Sequence, residues 1–405
     1  MANTPSSVVI VGAGLAGAKT AEALRTKGYA GPVTLLGREA ELPYERPPLS
    51  KDYLMGKAEF DKAIVHPKQW YAEHDVDLRQ DVDVVAVHPG SHEVELADGS
   101  RLGYGALVLA TGSEPRRLPI AGADSALTLR THADSDAIRQ TFGPGKRLVI
   151  VGAGWIGLEV AAAARDKDTE VTLLEAAELP LLGVLGQEMA AVFADLHRDH
   201  GVDLRLGVSI EQIDADRVRL ADGTEIAADA VLLGVGVRPR TELAGSAGLD
   251  IDNGVLVDAS LRTSNPDIFA VGDIANQDHP VLGQRIRVEH WATALNQPAT
   301  AAAALLGGDE VYDRLPYFFS DQYDLGMEYV GFASPGNYAR VLVRGDLGKR
   351  EFVAFWLDGQ DRILAAMNVN VWDVPDAVKP LIAAKTVVDP AKLTDPDIAY
   401  ADVGK

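Results

Sequence analysis

Two short, unbroken runs of apolar residues, each closed at once by glycine, organise this chain. Val8-Val9-Ile10-Val11 runs into Gly12-Ala13-Gly14-Leu15-Ala16-Gly17, and Leu148-Val149-Ile150-Val151 runs into Gly152-Ala153-Gly154-Trp155-Ile156-Gly157. Runs without polar alternation predict strands buried on both faces, as in parallel sheets. After each glycine turn the spacing predicts an alanine-rich helix, over 18–26 and 158–167. A second apolar run then follows, Val33 to Leu36 and Val171 to Leu174. The order strand, glycine turn, helix, strand predicts a doubly wound parallel sheet. A later pair of strings repeats as well: Leu96-Ala97-Asp98-Gly99 with Leu107-Val108-Leu109-Ala110-Thr111-Gly112, and Leu220-Ala221-Asp222-Gly223 with Val231-Leu232-Leu233-Gly234. Their Asp-Gly turns close the apolar segments 93–96 and 218–220, which read as antiparallel hairpins inserted into each unit. Two successive copies of one nucleotide-binding unit account for the whole pattern.

The periodicity changes after about residue 317. Ala339-Arg340-Val341-Leu342-Val343-Arg344 and Phe352-Val353-Ala354-Phe355-Trp356-Leu357 suggest antiparallel strands, and Tyr317, Phe318, Phe319 and Tyr323 supply a cluster of aromatics. The fold class is therefore α/β, with two Rossmann-like, doubly wound nucleotide-binding domains followed by a C-terminal α+β domain. The tail beyond Pro390, with its repeated Asp and Pro, is expected to be loosely held.

Composition narrows the function. The 405 residues contain no cysteine, which removes disulfides, Cys-ligated zinc, protein-held iron–sulfur clusters and a redox-active dithiol together. The nine histidines are scattered, so no metal site is expected. A net charge of −21 argues against nucleic-acid binding. No stretch reaches the ~18 apolar residues of a membrane span, and residues 1–7 lack the basic start and longer apolar core of a secretory signal. The expected location is the cytoplasm.

Each glycine of the paired fingerprints has its own task. The first permits the tight turn, the second admits a pyrophosphate to the backbone, and the third lets helix and strand pack closely. The helix N-terminus adds amide donors and the positive dipole end. Glu175, directly after the second strand of the second copy, is placed to accept from both ribose hydroxyls of an adenosine. It would repel a 2′-phosphate, so NADH is favoured over NADPH. The equivalent place in the first copy reads Gly37-Arg38-Glu39, where Glu39 is the candidate ribose contact and Arg38 could instead face phosphates. Pro43-Tyr44-Glu45-Arg46-Pro47-Pro48-Leu49-Ser50-Lys51 holds two cations on a proline-stiffened segment. In the string 263–273, Gly272 and Asp273 follow a short apolar strand and lead to a helix-like stretch, 289–306. Asp273 could accept from a ribityl hydroxyl or simply cap a βα turn.

Taken together, these strings resemble the FAD-dependent pyridine-nucleotide oxidoreductase superfamily. Arg46-Pro47-Pro48-Leu49-Ser50-Lys51 narrows the resemblance to its ferredoxin-reductase branch, and Phe319-Ser320-Asp321-Gln322-Tyr323 extends it. The resemblance implies a discontinuous FAD domain (1–115 and 243–322), an inserted NADH domain (116–242) and a C-terminal domain (323–405). Gly12, Gly14 and Gly17, with Leu15 and Ala16, would hold the FAD pyrophosphate. Lys51 would lie beside flavin N5, Val84 near the adenine and Arg130 near the FAD phosphates, with Arg46 a further cofactor-binding residue. Ala110, Thr111, Gly112, Gly272 and Asp273 would complete the FAD contacts, and Trp291 would adjoin the isoalloxazine. Gly152, Gly154, Ile156, Gly157 and Gly236 would serve NADH with Glu175. Glu159 matches a glutamate that pairs with the lysine near the flavin, so Lys51 and Glu159 are the expected catalytic positioning pair. Arg38 stands where the family usually has an acid.

The implied reaction is hydride transfer from NADH to FAD, followed by single-electron transfer to a [2Fe-2S] ferredoxin that serves an oxygenase or cytochrome P450. Without cysteines the chain cannot use an internal disulfide as acceptor. Alternatives are an NADH oxidase or quinone reductase without a protein partner, and a flavin-bound redox-signalling protein. Oligomeric state stays open between monomer and dimer.

Overall fold

A computed structural model describes residues 4–405; the start of the N-terminal segment considered above, residues 1–3, lies outside them. The chain forms two compact units. The first comprises residues 4–45, Phe60–Glu114 and Arg238–Pro316, the second Arg46–Glu59, Pro115–Val237 and Tyr317–Lys405.

In the first unit a parallel sheet runs in the order Ile268–Ala270, Ala106–Leu109, Val8–Val11, Val33–Leu36, Val76–Arg79. Val8 stands level with both Val33 and Ala106. The first four strands are buried at every position, which is why their sequences do not alternate. Helix Leu15–Thr26 packs against helix Trp291–Leu305, and alanines on both allow the close approach. The latter helix is two residues shorter at its start than the sequence suggested. Segment 93–96 pairs antiparallel with Val84–His88 and Arg101–Gly103.

The second unit repeats the plan. Its parallel sheet runs Asp203–Leu206, Glu170–Glu175, Arg147–Val151, Ala230–Leu233, with an antiparallel insertion at Ile210–Ile213, Arg217–Leu220 and Glu225–Ala227. It also takes in an antiparallel five-stranded sheet, ordered Tyr317–Gln322, Leu325–Gly331, Ile363–Val369, Glu351–Leu357, Arg340–Asp346. That sheet shares a hydrophobic core with the second nucleotide-binding fold: Phe352, Trp356 and Met367 lie with Leu185, Met189 and Phe193. The Trp356 indole donates to the Leu185 carbonyl at 3.2 Å.

Two observations depart from the sequence reading. Residues 46–59 and 317–322, read from sequence as parts of the first nucleotide-binding domain, pack within the second unit. Ser135 donates to the Leu49 carbonyl at 2.8 Å, Tyr53 to Asp136 at 2.6 Å, and Leu54 is fully buried. The tail beyond Pro390 is not loose. Leu393 and Val403 are fully buried, and Val388 bridges to Gly404; these apolar residues, spaced among the Asp and Pro, anchor it to the sheet domain.

His197, on helix Leu182–Asp199, is fully buried, and burial holds its imidazole down at about 4. Its ordinary value is 6.5, so between the two the unfolded chain binds the extra proton and the folded one does not. Stability is then complete above pH 6.5 and falls as pH drops toward 4, by roughly 1.4 kcal/mol per pH unit for this group. Urea titrations from pH 7 to 4 should show a shallower acid loss in His197→Gln than in the parent; parallel curves would exclude His197 as a source.

Candidate functional site

Both glycine turns place a helix end against open space. Gly12 and Gly152 have φ of +112° and +98°, values that L side chains rarely adopt. A Cβ on Gly12 would meet the Ala110 carbonyl oxygen at 2.2 Å, and one on Gly152 the Gly234 oxygen at 2.5 Å. Gly17 and Gly157 touch the turn itself: a Cβ there would lie 1.9 Å from the Gly12 oxygen and 2.0 Å from the Gly152 oxygen. The middle glycines differ. A Cβ on Gly14 meets nothing within 4 Å, and one on Gly154 only the Gly234 oxygen at 3.9 Å.

Gly14 and Gly154 are also the N-caps of helices Leu15–Thr26 and Trp155–Arg165. Neither helix has a side-chain cap or an acid in its first turn. Elsewhere the chain does cap a helix internally: Thr131 accepts from the Asp134 amide, and the Asp134 carboxylate accepts from the Thr131 amide. Uncapped amides, a favourable dipole end and space at the middle glycine are the donor set a pyrophosphate requires. Both turns fit a dinucleotide.

In the first unit, Ala110 donates to the Val11 carbonyl at 2.8 Å and Thr111 to the Arg240 carbonyl at 2.8 Å, fixing the turn that ends in Gly112. Gly272, at φ +76°, lies close to Ala16, and its amide donates to Gln297 at 2.8 Å. Asp273 is buried beside it, and its carbonyl accepts from Arg287 at 3.1 Å. Trp291, the first residue of its helix, donates through Nε1 to Glu45 at 3.1 Å. Leu15 and Ala16 are buried in the first helical turn, and Val84 opens its strand, buried. Arg38 is exposed, whereas the half-buried Glu39 accepts from the Tyr44 hydroxyl.

In the second unit, Glu175 is tied to its own turn. One carboxylate oxygen accepts from the Ala153 amide at 2.7 Å, the other from the Ala177 amide at 2.9 Å. Each oxygen keeps a second lone pair, so a ribose diol can still be held. Ile156 is an exposed apolar residue on the first helical turn, and Gly236 has φ +90°. Arg46 donates to the Arg130 carbonyl, and the Arg130 amide to Asp134 at 3.0 Å.

Lys51 and Glu159 come together. Lys51 Nζ lies 2.7 Å from Glu159 Oε1, with side-chain exposures of 13% and 4%, and 5.4 Å from the Phe319 ring centroid. Two serines absent from the sequence-level candidates complete the carboxylate's shell. Ser50 donates to Oε2, and Ser320 to Oε1 at 2.7 Å. Ser50 adjoins Lys51 and Ser320 lies in the string 319–323, but serine is too common for either to stand out without a partner in view.

Two open turns of the same design on one chain are what a protein that holds two dinucleotides requires. The pyridine nucleotide-disulphide oxidoreductase family model matches residues 6–298, and a reductase C-terminal model matches residues 317–403. The chain belongs to the pyridine nucleotide-disulphide oxidoreductase family. It is 41% identical, over 96% of its length and 97% of the relative's, to the anthranilate 1,2-dioxygenase system ferredoxin–NAD(+) reductase component of Burkholderia cepacia. It is 38% identical to putidaredoxin reductase CamA of Pseudomonas putida, over 99% and 97% of the two chains. Among solved structures it superposes on the reductase in the covalent putidaredoxin reductase–putidaredoxin complex with a TM-score of 0.95, at 37% identity, covering 99% of this chain and 98% of that one. Among the described residues no helix is long and apolar enough to cross a membrane.

Proposed function

We propose that this chain is an NADH-dependent ferredoxin reductase of the cytoplasm, delivering single electrons to a [2Fe-2S] ferredoxin that serves an oxygenase or a cytochrome P450. The observation that carries the reading is the pair of open cradles at Gly14 and Gly154, in a chain with no cysteine to receive the electrons. Full-length similarity to ferredoxin reductases supports the choice of acceptor.

The first unit would seat FAD, with Gly12, Gly14 and Gly17 at the pyrophosphate and Asp273 toward the ribityl chain. The second would seat NADH, with Gly152, Gly154 and Gly157 at its pyrophosphate and Glu175 at its ribose. When bound, the flavin supplies the change from two-electron to one-electron transfer. The protein's part is to bind and orient. Lys51, fixed by Glu159, would hold the nicotinamide ring and place positive charge where negative charge develops. No side chain need take a proton from the substrate.

Stopped-flow reduction by NADH, then mixing with a [2Fe-2S] ferredoxin and cytochrome c, tests the proposal. Cytochrome reduction should depend on the ferredoxin. Rapid oxygen consumption with no added partner would instead identify an oxidase, and a long-lived, slowly reduced complex a signalling role.

Glu175→Gln combined with Ala176→Arg should move the preference toward NADPH by roughly tenfold or more, as a repelling charge gives way to an attracting one. Glutamine still offers one oxygen to the Ala153 or Ala177 amide, so the turn should survive. An unaltered ratio of kcat/KM for the two nucleotides would refute the ribose assignment.

A further inference from the structure

Behind the Lys51–Glu159 pair lies a line of buried polar side chains. Ser320 Oγ, 2.7 Å from Glu159, accepts from Gln322 Nε2 at 3.1 Å. Gln322 Oε1 lies 2.9 Å from His197 Nε2, and His197 Nδ1 lies 3.3 Å from the Tyr323 hydroxyl. Ser320, Gln322 and His197 are at most 1% exposed. Ser320 and Gln322 share a face of strand Tyr317–Gln322, while Asp321 between them points out. Three separate segments thus meet: the helix bearing Glu159, this strand, and the helix bearing His197.

The direction of every hydrogen bond follows from the charge at one end. Glu159, paired with an ammonium, is an acceptor only. Ser320 has one proton and must give it to Glu159. Its oxygen can then only accept, so Gln322 must present its NH₂ there and turn its carbonyl to His197. His197 must therefore carry its proton on Nε2, leaving Nδ1 to accept from Tyr323. Burial keeps the Tyr323 phenol protonated, as a donor, and His197 neutral. The other Gln322 rotamer would leave two acceptors contesting the single serine proton.

We propose that Ser320, Gln322 and His197 are positioning residues for the Lys51–Glu159 pair, forming a polar strut that locks the carboxylate and, through it, the lysine. The proposal rests on the reading of Lys51 given above only for its kinetic consequence. The tautomer of His197 is independent of any reaction.

The test uses the FAD-loaded protein with ¹⁵N-labelled histidine, the His197 signals being assigned by their loss in His197→Gln. The parent should show the Nε2–H tautomer alone. Ser320→Ala removes the constraint that Glu159 sets on the Gln322 orientation and leaves only the Tyr323 hydroxyl, which can donate or accept and lies 3.3 Å away, so His197 should become a mixture of tautomers two side chains away. Hydride transfer from NADH in single turnover should slow roughly tenfold, the usual weight of one hydrogen bond to a charged group, with NADH affinity unchanged. Both readouts must move. A slower reaction with an unchanged tautomer would confine the effect to Ser320 and overturn the strut, and a changed tautomer with an unchanged rate would overturn its positioning role. A parent that NADH does not reduce at all would defeat the functional reading instead, and the tautomer comparison would show it separately.

Discussion

Lys51→Met protein should retain FAD and yet be reduced by NADH about a hundredfold more slowly, the scale of losing one preorganised charged donor. The structure adds a second consequence. Glu159 is 4% exposed and would keep only the two serine hydroxyls as donors. Breaking a buried ion pair from one side costs about 3–5 kcal/mol, because the remaining charge has no counterpart. Thermal stability should fall accordingly. Adding Glu159→Gln to the same variant should restore part of the melting temperature without restoring the rate. Stopped-flow reduction and thermal melts of the three proteins separate these effects. A single variant with parental reduction kinetics would reduce Lys51 to a structural ion-pair partner.

The glycine turns predict an opposition between neighbouring positions. Gly17→Val puts a Cβ 1.9 Å from the Gly12 carbonyl oxygen, a contact that no rotamer relieves, so this variant should fail to fold. Gly14→Val puts its side chain into empty space and should fold. It should nevertheless purify without flavin, since the branched side chain would occupy the ground of the pyrophosphate. The second cradle gives the matching case. Gly154→Val should keep its flavin while its NADH dissociation constant rises about a hundredfold, the equivalent of two phosphate hydrogen bonds. Flavin absorbance and equilibrium titration with NADH read these outcomes directly. Flavin bound normally by Gly14→Val would remove the FAD cradle from this turn.

Much of the fold is legible in the chain because its determinants are local. The four core strands of the first sheet are apolar at every position since both faces are covered. The Glu93–Leu96 hairpin is announced by its Asp-Gly turn. The tail beyond Pro390 misled, because its composition is that of a loose end while Leu393 and Val403 are fully buried. Composition averages over residues, whereas docking depends on which few of them meet an apolar surface.

The candidate site divides along the same line. The sequence by itself marked the two glycine turns, and the reason is steric: a Cβ at 12, 17, 152 or 157 would clash with a carbonyl five residues away or beside the adjacent strand. It also determined, through the missing cysteines, that no disulfide within the chain receives the electrons. Only the tertiary structure decided that segment 46–59 packs with the second unit, and that Glu159, expected beside Lys51, also draws Ser50 and Ser320 onto its carboxylate. Those partners come from segments more than a hundred residues apart. Their hydrogen bonds follow from how helices and strands pack, and no local periodicity records that.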